Sequence, residues 1–65
     1  MKIRVNDEEK TVTGASLADA LAELGYDGAV IATAVNGDFT PRQRRAQLML
    51  NEGDRLELLA PMRGG

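Results

Sequence analysis

Cysteine, histidine and tryptophan are all absent from this 65-residue chain. Without cysteine there is neither a disulfide nor a thiolate metal site to brace it. Without histidine the commonest general base and the commonest zinc ligand are missing. Tyr26 and Phe39 are the only aromatics, too few for a platform on which nucleobases stack. The net charge is -2, whereas a nucleic-acid binder carries a basic footprint, and the one basic cluster is Arg42, Arg44 and Arg45. No apolar run approaches the ~20 residues that span a bilayer. Asp7, Glu8 and Glu9 interrupt the N-terminus before the apolar core of a signal peptide could develop. These absences point to a cytoplasmic protein that binds neither nucleic acid nor membrane. Any catalysis would fall to carboxylates, lysines, Tyr26 or hydroxyls, and no constellation of these looks poised for chemistry.

What is present fits one small domain, which at this length buries only about 60% of its unfolded surface. In Lys2-Ile3-Arg4-Val5 the apolar residues alternate with charged ones, the period of a half-buried strand. Asn6 to Glu9 reads as a polar turn, and Lys10 to Thr13 as a second strand centred on Val12, close enough to the first to form a hairpin. Ser16 is a good helix N-cap, with Asp19 three residues on near the positive helix end. Leu17, Ala20, Leu21 and Leu24 form one buried stripe, and Gly25 suits the left-handed position that ends helices. Ala29 to Val35 is an apolar run with strand composition, long enough to be buried on both faces. Asn36-Gly37 signals a tight turn, with Asp38-Phe39-Thr40 returning as a short strand that Pro41 ends. Arg42 to Leu50 stays open. Ala46, Met49 and Leu50 suit a helical turn, and Leu48 with Leu50 equally suits a strand. Asn51 to Asp54 is a turn cluster, and Arg55 to Ala60 alternates again before Pro61. A hairpin, a helix of about three turns and further strands predict an α+β domain of two layers, a mixed sheet of four to five strands packed on one main helix. The β-grasp (ubiquitin-like) arrangement, with the first and last strands parallel at the centre of the sheet, meets that description. The domain is expected over residues 1–61, with 62–65 as a flexible tail.

The tail is the most unusual feature. Gly64 and Gly65 carry no Cβ, so this strip is thin enough to thread a narrow channel, and no side chain shields the Gly65 carboxylate. The alternative is an ordinary frayed end. Met62 and Arg63 could anchor such a tail at a channel mouth, one by adaptable packing and one by charge-assisted bonds, or could simply be solvated. Phe39 and Leu59 are candidates for an exposed apolar docking patch. Arg42, with Arg44 and Arg45, could steer the chain to an acidic partner or form a solvated face.

The opening Met1-Lys2-Ile3-Arg4-Val5-Asn6, the segment Val35-Asn36-Gly37-Asp38-Phe39-Thr40-Pro41-Arg42, Gly53-Asp54-Arg55 and the ending Pro61-Met62-Arg63-Gly64-Gly65 together resemble the ThiS family. These are the ubiquitin-like sulfur carriers of thiamine thiazole synthesis. The resemblance covers essentially the whole chain. Arg45 departs from relatives that carry tryptophan there, a change expected to alter surface contacts and not the chemistry. The resemblance implies a co-substrate and not an enzyme. An E1-like (ThiF-like) adenylyltransferase, using ATP and Mg, would activate Gly65, with Gly64 threading the channel. A cysteine desulfurase or sulfurtransferase would supply sulfur, and a ThiG-like thiazole synthase would receive it from a Gly65 thiocarboxylate. The chain itself would bind no cofactor. Three other readings stay open: a sulfur carrier for molybdopterin synthase, a ubiquitin-like modifier of lysines, and a non-covalent β-grasp interaction module with an inert tail.

Overall fold

Two asparagine-led turns set the register of the outer hairpins. Asn6 and Asp7 both adopt positive φ (48° and 70°), as do Asn36 and Gly37 (52° and 88°). Positive φ at both central residues is what a two-residue hairpin turn of matching twist requires, and asparagine, aspartate and glycine tolerate it best. The computed structural model describes residues 1–26 and 31–59. Around the first turn lie β1 (Lys2–Val5) and β2 (Glu8–Thr11), and around the second β3 (Ala32–Val35) and β4 (Asp38–Thr40). The last strand, β5 (Arg55–Leu59), runs parallel to β1 and antiparallel to β3. The sheet order is therefore β2-β1-β5-β3-β4, a mixed five-stranded sheet with the first and last strands at its centre.

The helix α1 (Leu17–Glu23) is built as its sequence predicts at both ends. Ser16 Oγ accepts from the Asp19 N–H at 3.1 Å. The N–H groups of Leu17 and Ala18 donate to the carbonyls of Leu48 and Arg45 at 2.8 and 3.0 Å, so the free donors of the first turn are satisfied within the fold. At the other end Gly25 has φ +90°, its N–H reaches Ala22 O, and Tyr26 N–H reaches Leu21 O, the paired bonds of a glycine-ended helix. Leu17, Ala20 and Leu21 bury against Ile3, Val5, Val12, Val35, Leu50, Leu56 and Leu58, one continuous core beneath one face of the sheet. Ile3, Leu17 and Leu56 are almost wholly excluded from water, each worth roughly 1.5–3 kcal/mol relative to exposure. Thr33 is buried too, and its hydroxyl donates to Thr40 O at 2.8 Å, which removes the penalty of an unpaired polar group.

Four expectations need correction, and one segment left open is settled. The first turn is only Asn6-Asp7, so β2 starts at Glu8 and not at Lys10. The Glu8-Glu9-Lys10 stretch is wholly exposed, an edge strand whose charges discourage further pairing, so it lacks the alternation that betrays a buried strand. Val12, taken as the centre of that strand, lies just past it, buried, with its N–H on Met1 O. The helix has seven residues, about two turns and not three. The third strand begins at Ala32, residues 29 and 30 of the predicted run lying outside the described residues. It is buried on one face only, because Ala32 and Ala34 are apolar enough to suggest burial yet small enough to sit on the open side. The segment left open carries both alternatives: a 3-10 turn at Arg42–Arg44 continues as turn through residue 47, and a short extended stretch follows in which Leu50 is buried and Leu48 partly so, while Met49 is exposed and bridges Ser16.

Candidate functional site: the open sheet face and the end of β5

Among the described residues the sheet has one covered face and one open one, and the period of two along each strand decides which residues reach the open side. On β5 Leu56 and Leu58 go into the core, which leaves Arg55, Glu57 and Leu59 outside. The register places Ala34 between Phe39 of β4 and Glu57 of β5, and Ala32 beside Leu59. Phe39 is 70% exposed and Leu59 71%. Because the alanines between them are short, the two large side chains border a shallow groove of about 180 Å³, floored by Ala32 and Ala34 and closed toward β1 by Asn6 and Leu58. Phe39 and Leu59 are thus brought together, as an exposed apolar pair with a recess between them.

Toward β1 the face becomes charged. Arg4 and Arg55 are register partners across the parallel β1–β5 pair, and they line a second hollow with Asn6, Asp7 and Glu57. Arg4 donates to the carbonyl of Asp7 at 3.3 Å. The open face therefore carries an apolar half and a mixed-charge half, and Asn6 lies on the boundary between them.

The arginine cluster of the sequence comes apart in the fold. Arg42 and Arg44 are exposed on the 3-10 turn, and Arg42 does not line the groove. Arg45 is half-buried and structural: its guanidinium donates to Ile31 O at 2.6 Å and to Thr33 Oγ1 at 3.3 Å, tying this segment to the start of β3. It is not available for steering. Gly65, Gly64, Met62 and Arg63 lie outside the described residues. Leu59 is the last described residue, so the open face leads directly toward them in sequence.

Three features escape a reading by residue type. Asn6 reaches across to β5, its Oδ1 accepting from Leu58 N–H at 2.9 Å and its Nδ2 donating to Leu58 O at 3.1 Å. Asn36 does the same at the other end of the strand, accepting from Arg55 N–H at 3.0 Å and donating to Asp54 Oδ1 at 3.0 Å. Both sit in hairpin turns, so turn propensity explains them and hides the second role. The third is Glu23, which bends back from α1 to accept from the Thr13 N–H and hydroxyl and the Gly14 N–H. The Thr13 N–H is the main cause that holds its carboxyl below the ordinary value of 4.5, against a smaller opposing cost of desolvation and with help from the Gly14 N–H. Gly14 leaves room for this clasp, since a Cβ there would run into Asp19 Cβ and Glu23 Oε2.

Among the described residues no group of three or more acidic, histidine or cysteine side chains could hold a metal ion, and no helix is long and apolar enough to cross a membrane. What the described part offers is an exposed apolar pair over a shallow groove, beside the strand that leads to the last residues.

Comparisons with known proteins agree with this architecture. The crystal structure of the thiamine biosynthesis protein ThiS from Geobacter metallireducens matches with a TM-score of 0.82 at 29% identity, covering 100% of both chains. A solution NMR structure of a thiamine biosynthesis protein from the same organism matches with a TM-score of 0.77 at 28% identity, covering 100% of this chain and 88% of that one. A thiazole synthase from Paramagnetospirillum magneticum is 36% identical over 66 residues, which is 100% of this chain and 20% of that protein, so the chain spans about a fifth of the length of that curated relative. The five-stranded mixed sheet on one helix is the β-grasp fold, and with the ThiS family model matching residues 3–65, the chain belongs to the ThiS family.

Proposed function

We propose that this chain is a sulfur carrier for the thiazole half of thiamine, working through the carboxylate of Gly65. The observation that carries the reading is the family match over residues 3–65, which runs through the final Gly64-Gly65. In this reading residues 1–61 are the folded body that partners recognise, and 62–65 are the strip presented to their active sites.

The chemistry follows from the weakness of a carboxylate as an electrophile: its charge and resonance discourage attack. A ThiF-like adenylyltransferase joins a Gly65 carboxylate oxygen to the α-phosphorus of ATP and releases pyrophosphate, with Mg serving that partner. AMP is then a good leaving group. A persulfide from a cysteine desulfurase or sulfurtransferase attacks the acyl carbon, expels AMP and leaves an acyl disulfide. A thiol attacks the donor's sulfur in that disulfide, supplies the two electrons, and releases a thiocarboxylate on Gly65. That sulfur is the nucleophile delivered to thiazole synthase. The chain is a co-substrate throughout, acted on in the cytoplasm. Carrying sulfur on a folded body lets the partner orient the reacting atom by gripping surface far from it.

Phe39 and Leu59 are the centre of the docking face in this proposal, since exposed apolar pairs over a recess favour protein contact. Met62 and Arg63 extend it along the tail, and Arg42 adds charge at a distance. The relative named thiazole synthase, of which a stretch like this chain makes up a fifth, supports an acceptor of that class. Intact-protein mass spectrometry tests the central claim. With the adenylyltransferase, ATP and a sulfur donor, the chain should gain the mass of one sulfur in place of one oxygen, localised to Gly65. A chain left unchanged by an enzyme that loads another ThiS protein in the same assay would overturn it.

A further inference from the structure

Parallel strands need an unbroken partner to satisfy both edges, and β1 stops short of the end of β5. Arg4 N–H donates to Asp54 O and Asn6 N–H to Leu56 O, each at 3.0 Å, after which the chain turns away at Asn6-Asp7. Thr33 of β3 is the register partner of Leu58 on one side, but on the β1 side this next rung has no strand backbone to meet it, the β1–β5 pairing ending at Val5 and Leu56. The Asn6 side chain supplies that rung. Its carboxamide offers one acceptor and one donor, as a peptide group does, and meets both the N–H and the C=O of Leu58. Few residues could do this: the position requires positive φ, which asparagine tolerates, and a primary amide at the end of a short side chain.

The place of this latch matters. Leu58 faces the core and Leu59 faces the groove opposite Phe39, so the bond pair holds the last rung of β5 in register just where it presents the docking side chain. Seven positions further on stands Gly65. We infer that Asn6 is a positioning residue for acyl activation: its carboxamide fixes the end of β5, which pre-sets Leu59 for docking and fixes the point from which the C-terminal segment departs toward the partner's active site. The inference rests on the carrier reading above. Without the latch, only the fraction of molecules with the last rung formed is competent to dock, and apparent affinity falls by that fraction.

Asn6→Gly keeps the positive φ and removes the amide. In the full chain it should accelerate hydrogen exchange at the Leu58 N–H by about tenfold, with amides in β3 and at Leu56 within about twofold of wild type, because the opening is local. Measured with a ThiF-like adenylyltransferase, its KM should rise about fivefold with kcat unchanged, the signature of lost binding and not of lost chemistry. A general weakening of the fold would instead speed exchange everywhere. Asn6→Asp, which keeps the acceptor but sets a carboxylate against Leu58 O, gives the same readouts should the glycine variant not fold. Unchanged Leu58 exchange or an unchanged KM overturns the inference. A wild-type chain that the enzyme never adenylates overturns the carrier reading and the kinetic consequence with it, and the exchange result then decides the latch alone.

Discussion

Replacing Arg45 by alanine is expected to destabilise the fold far more than the same change at Arg42 or Arg44, although the three look alike in sequence. The Arg45 guanidinium makes a 2.6 Å bond to Ile31 O and a 3.3 Å contact with Thr33 Oγ1. Hydrogen bonds to charged groups are worth about 1.5–3 kcal/mol each. The longer contact sits at the weak end of that scale, and Thr33 keeps its own bond to Thr40 O when the arginine goes. Ile31 is only half-buried, so water can partly replace the lost donor. The expected cost is therefore about 2 kcal/mol, which in a domain of this size lowers Tm by roughly 8–16 °C. Arg45→Lys should fall between, since one ammonium lacks the planar fork that serves two acceptors. Arg42→Ala and Arg44→Ala, on exposed side chains, should stay within about 0.5 kcal/mol of wild type. Thermal unfolding by circular dichroism, with urea titration as a second measure, reads all four. An Arg45→Ala protein as stable as Arg42→Ala would refute the reasoning and return Arg45 to the solvated cluster.

Leu59→Ser and Phe39→Ser should leave stability within about 0.5 kcal/mol of wild type, because both side chains are already exposed, while raising the KM of the activating enzyme; unchanged kinetics in both would remove the groove from the docking face. Gly64→Ala should lower kcat/KM for thiocarboxylate formation by about tenfold or more through a Cβ that a narrow channel must admit, with Tm unchanged because the core closes within residues 3–58; an unimpaired enzyme would sink that account. The Glu23 clasp makes stability depend on pH. Its folded carboxyl titrates below its ordinary value of 4.5, so its contribution is complete above that value and disappears as pH falls through the lower folded one. The urea midpoint of Glu23→Gln should therefore lie below wild type at neutral pH and converge with it in acid, and a gap that stays constant with pH would contradict the sign.

How much of this fold could be read in advance depended on whether a residue spoke through periodicity or through its side-chain amide. Ser16, the stripe Leu17-Ala20-Leu21-Leu24 and Gly25 each state one local preference that the fold obeys, save that Leu24 is only partly buried, and the helix is where predicted, though a turn shorter. The alternation in β1 and β5 places Ile3, Val5, Leu56 and Leu58 inward as found, Ala60 lying outside the described residues. β2 is harder, because an exposed edge strand need satisfy no pattern, and its Glu8-Glu9-Lys10 is indistinguishable from loop. Arg45 is harder still: a guanidinium that ends on Ile31 O is invisible until the chain has brought positions 31 and 45 together. Leu59 was legible because it breaks the polar outer face of β5, whereas Phe39 stands alone on the outer side of a three-residue strand, and the groove between them depends on alanines contributed by β3, a pairing no local pattern states.

The amide and carboxylate contacts made by Asn6, Asn36 and Asp54 share a target. Asn6 holds Leu58, Asn36 holds Arg55, and Asp54 accepts from Asn51 N–H at 2.8 Å as well as from Asn36. All act on β5 or the turn that feeds it, the strand flanked by β1 on one side and β3 on the other. Its neighbours run in opposite directions and leave at different heights, so the backbone ladder alone cannot serve both of its ends. Side-chain amides fill the missing rungs, where an unpaired main-chain group would cost about 1–3 kcal/mol if buried. In the carrier proposal, a chain that offers its end to successive enzymes gains from a rigid β5, since any order supplied beforehand is order that docking need not impose.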